Sequence, residues 1–217
     1  MMNSESRKFP VAKEGMIFIF PMGVLSLLLW AIGLSALAGI CTFLTLFVIY
    51  FFRDPERDVP PDEKAILSPA DGKVIQVQPC EEERFLKGAA IKVSVFMSLF
   101  NVHVNRSPLS GRIVDSSYSS GKFLRADLDR ASTANEQNAL LVETEEGARL
   151  LVVQIAGLIA RRIVCWVKKG DSVVRGQRFG LIRFGSRLDI YLPPGTRLQV
   201  QVGQKALAGQ TILGHLP

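Results

Sequence analysis

Between Glu14 and Arg53 the chain has no charged residue, and nearly every position is apolar. A helix needs roughly 20 apolar residues to cross a bilayer core about 30 Å thick, and this run is nearly twice as long. The pattern predicts two helices back to back, Met16–Gly33 and Ser35–Phe52, turning in the small-residue run Gly33, Leu34, Ser35, Ala36. A signal peptide has a shorter apolar core followed by a cleavage motif. Here the run ends instead in the charged segment RDPERDVPPDE. Arg7, Lys8 and Lys13 precede the apolar run, and Arg53 and Arg57 follow it. The positive-inside bias therefore places both ends in the cytoplasm. The expected organisation is a cytoplasmic N-terminus (1–15), a membrane hairpin (16–52), a linker (53–63) and a cytoplasmic domain (64–217).

Past the linker, marked by Pro55, Pro60 and Pro61, the pattern changes to short apolar runs separated by turns. Strands are expected at Ala89–Phe96, Ala139–Glu143, Arg149–Ile155, Arg161–Val167, Arg178–Ile182, Leu188–Leu192 and Leu198–Val202. Turn signals lie between them at Asp71-Gly72, Glu146-Gly147, Lys169-Gly170-Asp171 and Pro193-Pro194-Gly195. Helical periodicity is confined to Glu82–Lys87 and the region around Ala126–Ala134. The expected fold is mainly β, a compact barrel or sandwich behind an α-helical membrane hairpin. SPADGKVIQV and KKGDSVVRGQRFGLI resemble the hairpins of lipoyl and biotinyl domains, but neither offers a lysine in the carrier setting. The polar, weakly periodic stretch Ser119–Asn138 reads either as a functional loop or lid or as simple disorder.

Charge adds one fact: a formal net charge of +6 points to an anionic partner, phospholipid or nucleic acid. No nucleic-acid motif accompanies the charge, so a nucleic-acid partner is not expected. Cys41, Cys80 and Cys165 form neither a CxxC pair nor an even framework, so neither a zinc site nor disulfides are expected.

The chain has two histidines, His103 in FMSLFNVHVNRSP and His215 near the C-terminus. A lone histidine is usually structural, yet His103 is the natural proton carrier if the protein performs acid–base chemistry near neutral pH. Asp71 lies in PADGKV, where turn formation alone explains an Asp-Gly pair. Ser186 follows Gly185 in RFGSRLDIYLP, outside any G-x-S-x-G elbow. Gly-Ser suits a different reaction: glycine lets the peptide adopt conformations closed to other residues, and the serine hydroxyl can attack the preceding carbonyl. That reaction needs a base and a group to orient the base.

Taken together, FRDPERDVP, LSPADGKV, FMSLFNVHVNRSP, GKFLRADLDRAS, FGSRLDIYLP and KALAGQTILG resemble the phosphatidylserine decarboxylase proenzymes, in particular their short bacterial and archaeal branch. The likeness spans the hairpin and nearly all of the following domain. It implies an Asp71, His103, Ser186 triad that cleaves the Gly185–Ser186 bond. His103 would take the serine proton, and Asp71 would hold the imidazole in the right tautomer. The products would be a β chain, Met1–Gly185, and an α chain beginning at residue 186, which remain associated. Ser186 would become a covalent pyruvoyl cofactor that decarboxylates phosphatidylserine to phosphatidylethanolamine through a Schiff base. The better-known long branch carries L-G-S-T at the cleavage site, against Phe184-Gly185-Ser186-Arg187 here. Its second histidine corresponds to Phe100, so that residue's role does not transfer.

From Arg161 to Arg187 the chain has eight basic residues and one acid, Asp171. This run suits an anionic membrane and an anionic substrate, and Arg187, beside the reaction centre, is the candidate substrate contact. Two alternatives stay open: the same chemistry on a related serine-headgroup lipid, and a membrane-tethered binding module without catalysis.

Overall fold

A computed structural model of the chain describes residues 10–128, 130–158, 162–183 and 185–217. It divides into two units, one ending at Glu56 and one spanning Arg57–Pro217. Phe184, Arg161, Arg7 and Lys8, which the sequence reading invoked, lie outside the described residues.

The first unit is the expected hairpin. A 3-10 turn at Lys13–Gly15 leads into α1 (Met16–Ala31), and α2 (Ser35–Phe51) returns after a turn in which Gly33 has φ +77°. Its two ends meet, with the Ala12 amide donating to the Phe52 carbonyl and the Asp54 amide to the Pro10 carbonyl. The helices touch through hydroxyls: Ser26 Oγ and Thr42 Oγ1 are 2.6 Å apart, and Trp30 Nε1 donates to Thr42 Oγ1. Ile17, Phe20, Leu27, Ile32, Ile40 and Phe43 are exposed. Small polar groups between helices and apolar side chains outward suit a lipid solvent. Lys13–Ala31 is long and apolar enough to cross a membrane by length and composition. The 17 residues of α2 extend about 26 Å.

The second unit contains β1 (Ala65–Leu67), β2 (Gly72–Glu82), β3 (Gly88–Met97), β4 (Val104–Arg106), β5 (Gly111–Ser119), a short helix α3 (Ala131–Ala134), β6 (Gln137–Glu143) and β7 (Arg149–Ala156). It continues with β8 (Ile163–Cys165), β9 (Ser172–Val173), β10 (Arg178–Ile182), β11 (Ser186–Leu192), β12 (Arg197–Leu198), β13 (Lys205–Ala206) and β14 (Ile212–His215). A curled eight-stranded sheet runs β13-β2-β3-β11-β7-β6-β5-β9, beside two three-stranded sheets, β1-β14-β12 and β4-β10-β8. One core joins all three: Ile66 and Leu213 come from the first small sheet, Phe179 and Ile182 from the second, and Val93, Val95, Leu188 and Ile190 from the large one. Burying each such side chain contributes roughly 1.5–3 kcal/mol. The other face of the large sheet is covered around Ala131, Ala139, Leu141, Leu151, Val153 and Ile155, with Phe85 and Leu86 against them.

Three expectations need correction. Glu82–Lys87 is not helical but a tight turn closing the β2–β3 hairpin. Its cause is the Glu82 carboxylate, which accepts the amides of Arg84, Phe85 and Leu86. The helix around Ala126–Ala134 shrinks to one turn, α3, and the strand at Leu198–Val202 to the two residues of β12. The sequence reading also omitted β2 as a strand and β5, whose side chains are mostly half-buried and whose Asp115-Ser116-Ser117 run shows no apolar alternation.

The register gathers six strand termini at one end of the large sheet. Ser186, the first residue of β11, pairs with Met97 at the end of β3 and with Ala156 at the end of β7. At the same end β2 and β6 begin and β5 stops, because Lys73 pairs with Phe96, Gln137 with Ile155, and Ser119 with Gln137. The described residues of 98–103, 120–136, 157–162 and 183–185 therefore adjoin strand ends at the residue-186 end of the sheet.

Candidate active site

Strand alternation sends Ser186 to the core side of β11 and Arg187 to the opposite side. Ser186 is fully buried, and its Oγ lies 3.4 Å from Met97 Sδ. Gly185 has φ +66°, the left-handed region glycine enters freely and other residues only at a cost of about 1–2 kcal/mol. Its carbonyl faces Gly157, where an added Cβ would come within 2.2 Å of the Gly185 oxygen. The two glycines thus allow two loops to meet at the bond before Ser186.

His103 reaches this end through β4 and β10. Val104 pairs with Leu181, and the His103 carbonyl accepts the Ile182 amide at 3.3 Å. The residues 183–185 then lead directly into β11. His103 is almost fully buried, with Nδ1 3.0 Å from the Asn101 carbonyl oxygen. A carbonyl only accepts, so Nδ1 carries the proton, and neutral His103 presents Nε2 as its basic atom. The Asn101 carbonyl therefore holds the ring from its Nδ1 side.

Asp71 precedes β2 at the same end of the sheet, buried, with Oδ1 accepting the Ala208 amide and Oδ2 bound by Arg57 Nη2, both at 2.8 Å. This carboxylate ties the start of the second unit and the 207–211 turn to β2. The sequence showed Asp71 as a turn former; its ion pair with Arg57, across the linker, had no local signal.

Arg187, expected at the substrate, is occupied inside the protein on the face of β11 away from Ser186. Its Nε donates to Asp189 Oδ1 at 2.5 Å, and its Nη2 to Gln76 Oε1, Ser94 Oγ and Asp189 Oδ2. Lys92 Nζ also pairs with Asp189 Oδ2 at 3.0 Å, and Ser132 Oγ donates to the same oxygen. Arg187 Nη1 donates to the Leu128 carbonyl. Together Ser132 and Leu128 fasten the 120–136 loop onto the sheet. A charge pair two residues apart on a strand shares a face, so Arg187-Leu188-Asp189 held the signal for this network. Burial and the neighbouring Asp189 charge push the Tyr191 hydroxyl upward.

The sequence reading also missed a buried polar chain beneath Ser186. Asn105 Nδ2 lies 3.8 Å from Met97 Sδ, Gln154 Nε2 donates to Asn105 Oδ1, and Asn138 Nδ2 donates to Gln154 Oε1. Burial raises the thiols of Cys80 and Cys165, which keeps them from acting as thiolates. His215 lies on the β1–β14 sheet, its Nε2 2.7 Å from Asp62 Oδ2, and holds the Asp62 carboxyl below its ordinary range.

Comparison with known proteins gives this arrangement a class. The family model described as phosphatidylserine decarboxylase matches residues 44–214. A phosphatidylserine decarboxylase proenzyme of Geobacter sulfurreducens is 54% identical over 213 residues, covering 96% of this chain and 97% of the relative. Those of Geotalea uraniireducens and Desulfotalea psychrophila are 51% and 48% identical, covering 98% and 95% of this chain and 99% and 97% of the relatives. The chain belongs to the phosphatidylserine decarboxylase family.

Proposed function

We propose that this chain is a self-processing carboxy-lyase that converts phosphatidylserine to phosphatidylethanolamine at the cytoplasmic face of a membrane. The observation that carries the reading is the Gly185–Ser186 junction, with Gly185 at φ +66°, Ser186 buried and the His103 carbonyl bonded to Ile182 just before it, in a family whose relatives are named proenzymes.

In this reading His103 Nε2 takes the Ser186 hydroxyl proton, and the Asn101 carbonyl keeps the imidazole in the required tautomer. Asp71, anchored by Arg57 and Ala208, supplies a fixed negative charge at the same end of the sheet, which favours the imidazolium formed when His103 takes the proton. The Ser186 oxygen attacks the Gly185 carbonyl carbon and converts the amide to an ester. Loss of the Ser186 α-proton expels the Gly185 carboxylate and leaves a dehydroalanyl terminus. Water then replaces its nitrogen, which departs as ammonia, and the α chain begins with a pyruvoyl group. That group supplies the electron sink for release of carbon dioxide from an amino-acid headgroup. It needs no more room than Ser186, since it lacks the serine hydroxyl, and the burial around Met97 and Ala156 limits water at its ketone. The hairpin, flanked by Lys13 and Arg53, holds the enzyme where its lipid substrate resides.

The purified full chain should resolve by mass into a Met1–Gly185 chain and a shorter chain with a blocked N-terminus, and should produce phosphatidylethanolamine from vesicles containing phosphatidylserine. A single intact chain, or two chains without lipid conversion, would overturn the proposal. Vesicles of ether-linked serine lipid in the same assay define the backbone preference. Gly157→Ala offers a narrower check. Its methyl would push the Gly185 carbonyl aside by roughly 1 Å, and a displacement of that size costs on the order of 100-fold in rate. Precursor should therefore accumulate, and unimpaired processing would dissociate Gly157 from the reaction.

A further inference from the structure

Among the described residues of the second unit, eight large apolar side chains are exposed: Val59, Phe100, Tyr118, Leu128, Leu158, Val174, Val202 and Leu207. Five of them lie at or just beyond the strand ends on the residue-186 end of the large sheet. Phe100 lies three residues beyond Met97 and Leu158 two beyond Ala156, so both project from strands that pair with Ser186. Tyr118 ends β5 and Leu128 belongs to the loop that follows, while Leu207 continues β13 past its pairing with Gly72, beside Asp71. Phe100 is 67% and Leu158 58% exposed, at loop positions where polar residues are the rule. Apolar side chains grouped around a site in this way mark a contact surface.

Charge identifies its occupant. Among the described residues of 157–162 and 183–185, Arg162 is exposed and Arg183 half-buried, and none of those residues is acidic. An anionic lipid surface matches both the apolar tips and the arginines. We propose that this end of the sheet docks onto an anionic bilayer, with Phe100 and Leu158 entering the headgroup–acyl boundary on either side of residue 186. The inference rests on the decarboxylase reading, and it says how the reacting headgroup is reached: the lipid stays in its leaflet and the rim comes to it. A second protein chain on the same surface is the competing outcome.

The test uses the full chain reconstituted in vesicles of phosphatidylcholine and phosphatidylserine. Phe100→Ser combined with Leu158→Ser should lower decarboxylation of bilayer phosphatidylserine by about tenfold or more. Self-cleavage, and turnover of a short-chain, water-soluble phosphatidylserine, should stay within about twofold of the parent. Equal losses on both substrates, or none on either, would overturn the docking proposal. A second readout does not depend on catalysis. Phe100→Trp in a chain whose Trp30 and Trp166 are Phe should be quenched by brominated acyl chains; an unquenched emission matching that in detergent would also overturn it. Quenching without any serine-lipid turnover would refute the decarboxylase reading and leave the docking surface standing. Turnover without quenching would do the reverse.

Discussion

Ser186→Ala is expected to remain one 217-residue chain and to release no carbon dioxide from phosphatidylserine above background. The substitution deletes one oxygen, whose hydrogen-bonding contact is a thioether sulfur at 3.4 Å. Such a weak bond contributes at most about 1 kcal/mol, so the variant should fold and melt close to the parent. Its failure would therefore be chemical: without Oγ there is no acyl shift, and without the shift residue 186 keeps its amide nitrogen. Intact mass and a lipid assay measure the two losses separately. A variant that still divides into two chains would remove Ser186 from the reaction.

His103→Ala should slow self-cleavage by about 100- to 10,000-fold, the usual contribution of a positioned base, and leave precursor as the main species. The backbone of residue 103 holds the Ile182 amide regardless of its side chain, so the strand end that carries the 183–185 link should persist. Circular dichroism beside the mass measurement separates a folded, stalled precursor from a misfolded one. Efficient maturation of the folded variant would assign the base to another group.

Much of this was legible from residue order alone. The uncharged run from Gly15 to Phe52 announced the hairpin because it is nearly twice the length of one membrane-spanning helix and has small residues at its middle. β3 and β7 were visible because each is apolar along most of its length, and β11 through the run Leu188–Leu192, where only Asp189 is charged. β5 was not, since its half-buried side chains impose no alternation. Glu82–Lys87 misled for a local reason: acidic and apolar residues at helical spacing also suit a turn when one carboxylate collects three amides. At the site, Ser186, Gly185 and His103 stood out by residue type, and the structure adds their setting: Ser186 buried at the start of β11, Gly185 at φ +66° and His103 buried before β4. Arg187 was noticed for its charge but misread in direction, because proximity along a strand says nothing about face until alternation is applied. The Asn101 carbonyl and the Asn105–Gln154–Asn138 chain depend on strands brought together from distant segments, and no short motif records that.

β11 lies in the middle of the large sheet, paired along its length with β3 on one side and β7 on the other. A cut just before it would leave the two products sharing a single hydrophobic core. An uncut chain would refold as one molecule, at a rate indifferent to its concentration. A divided one would have to find its lost strand by collision, with residue 186 altered. Self-cleavage would thus turn folding into an event performed once, and the lifetime of the enzyme would be set by its rate of unfolding rather than by an equilibrium it can revisit.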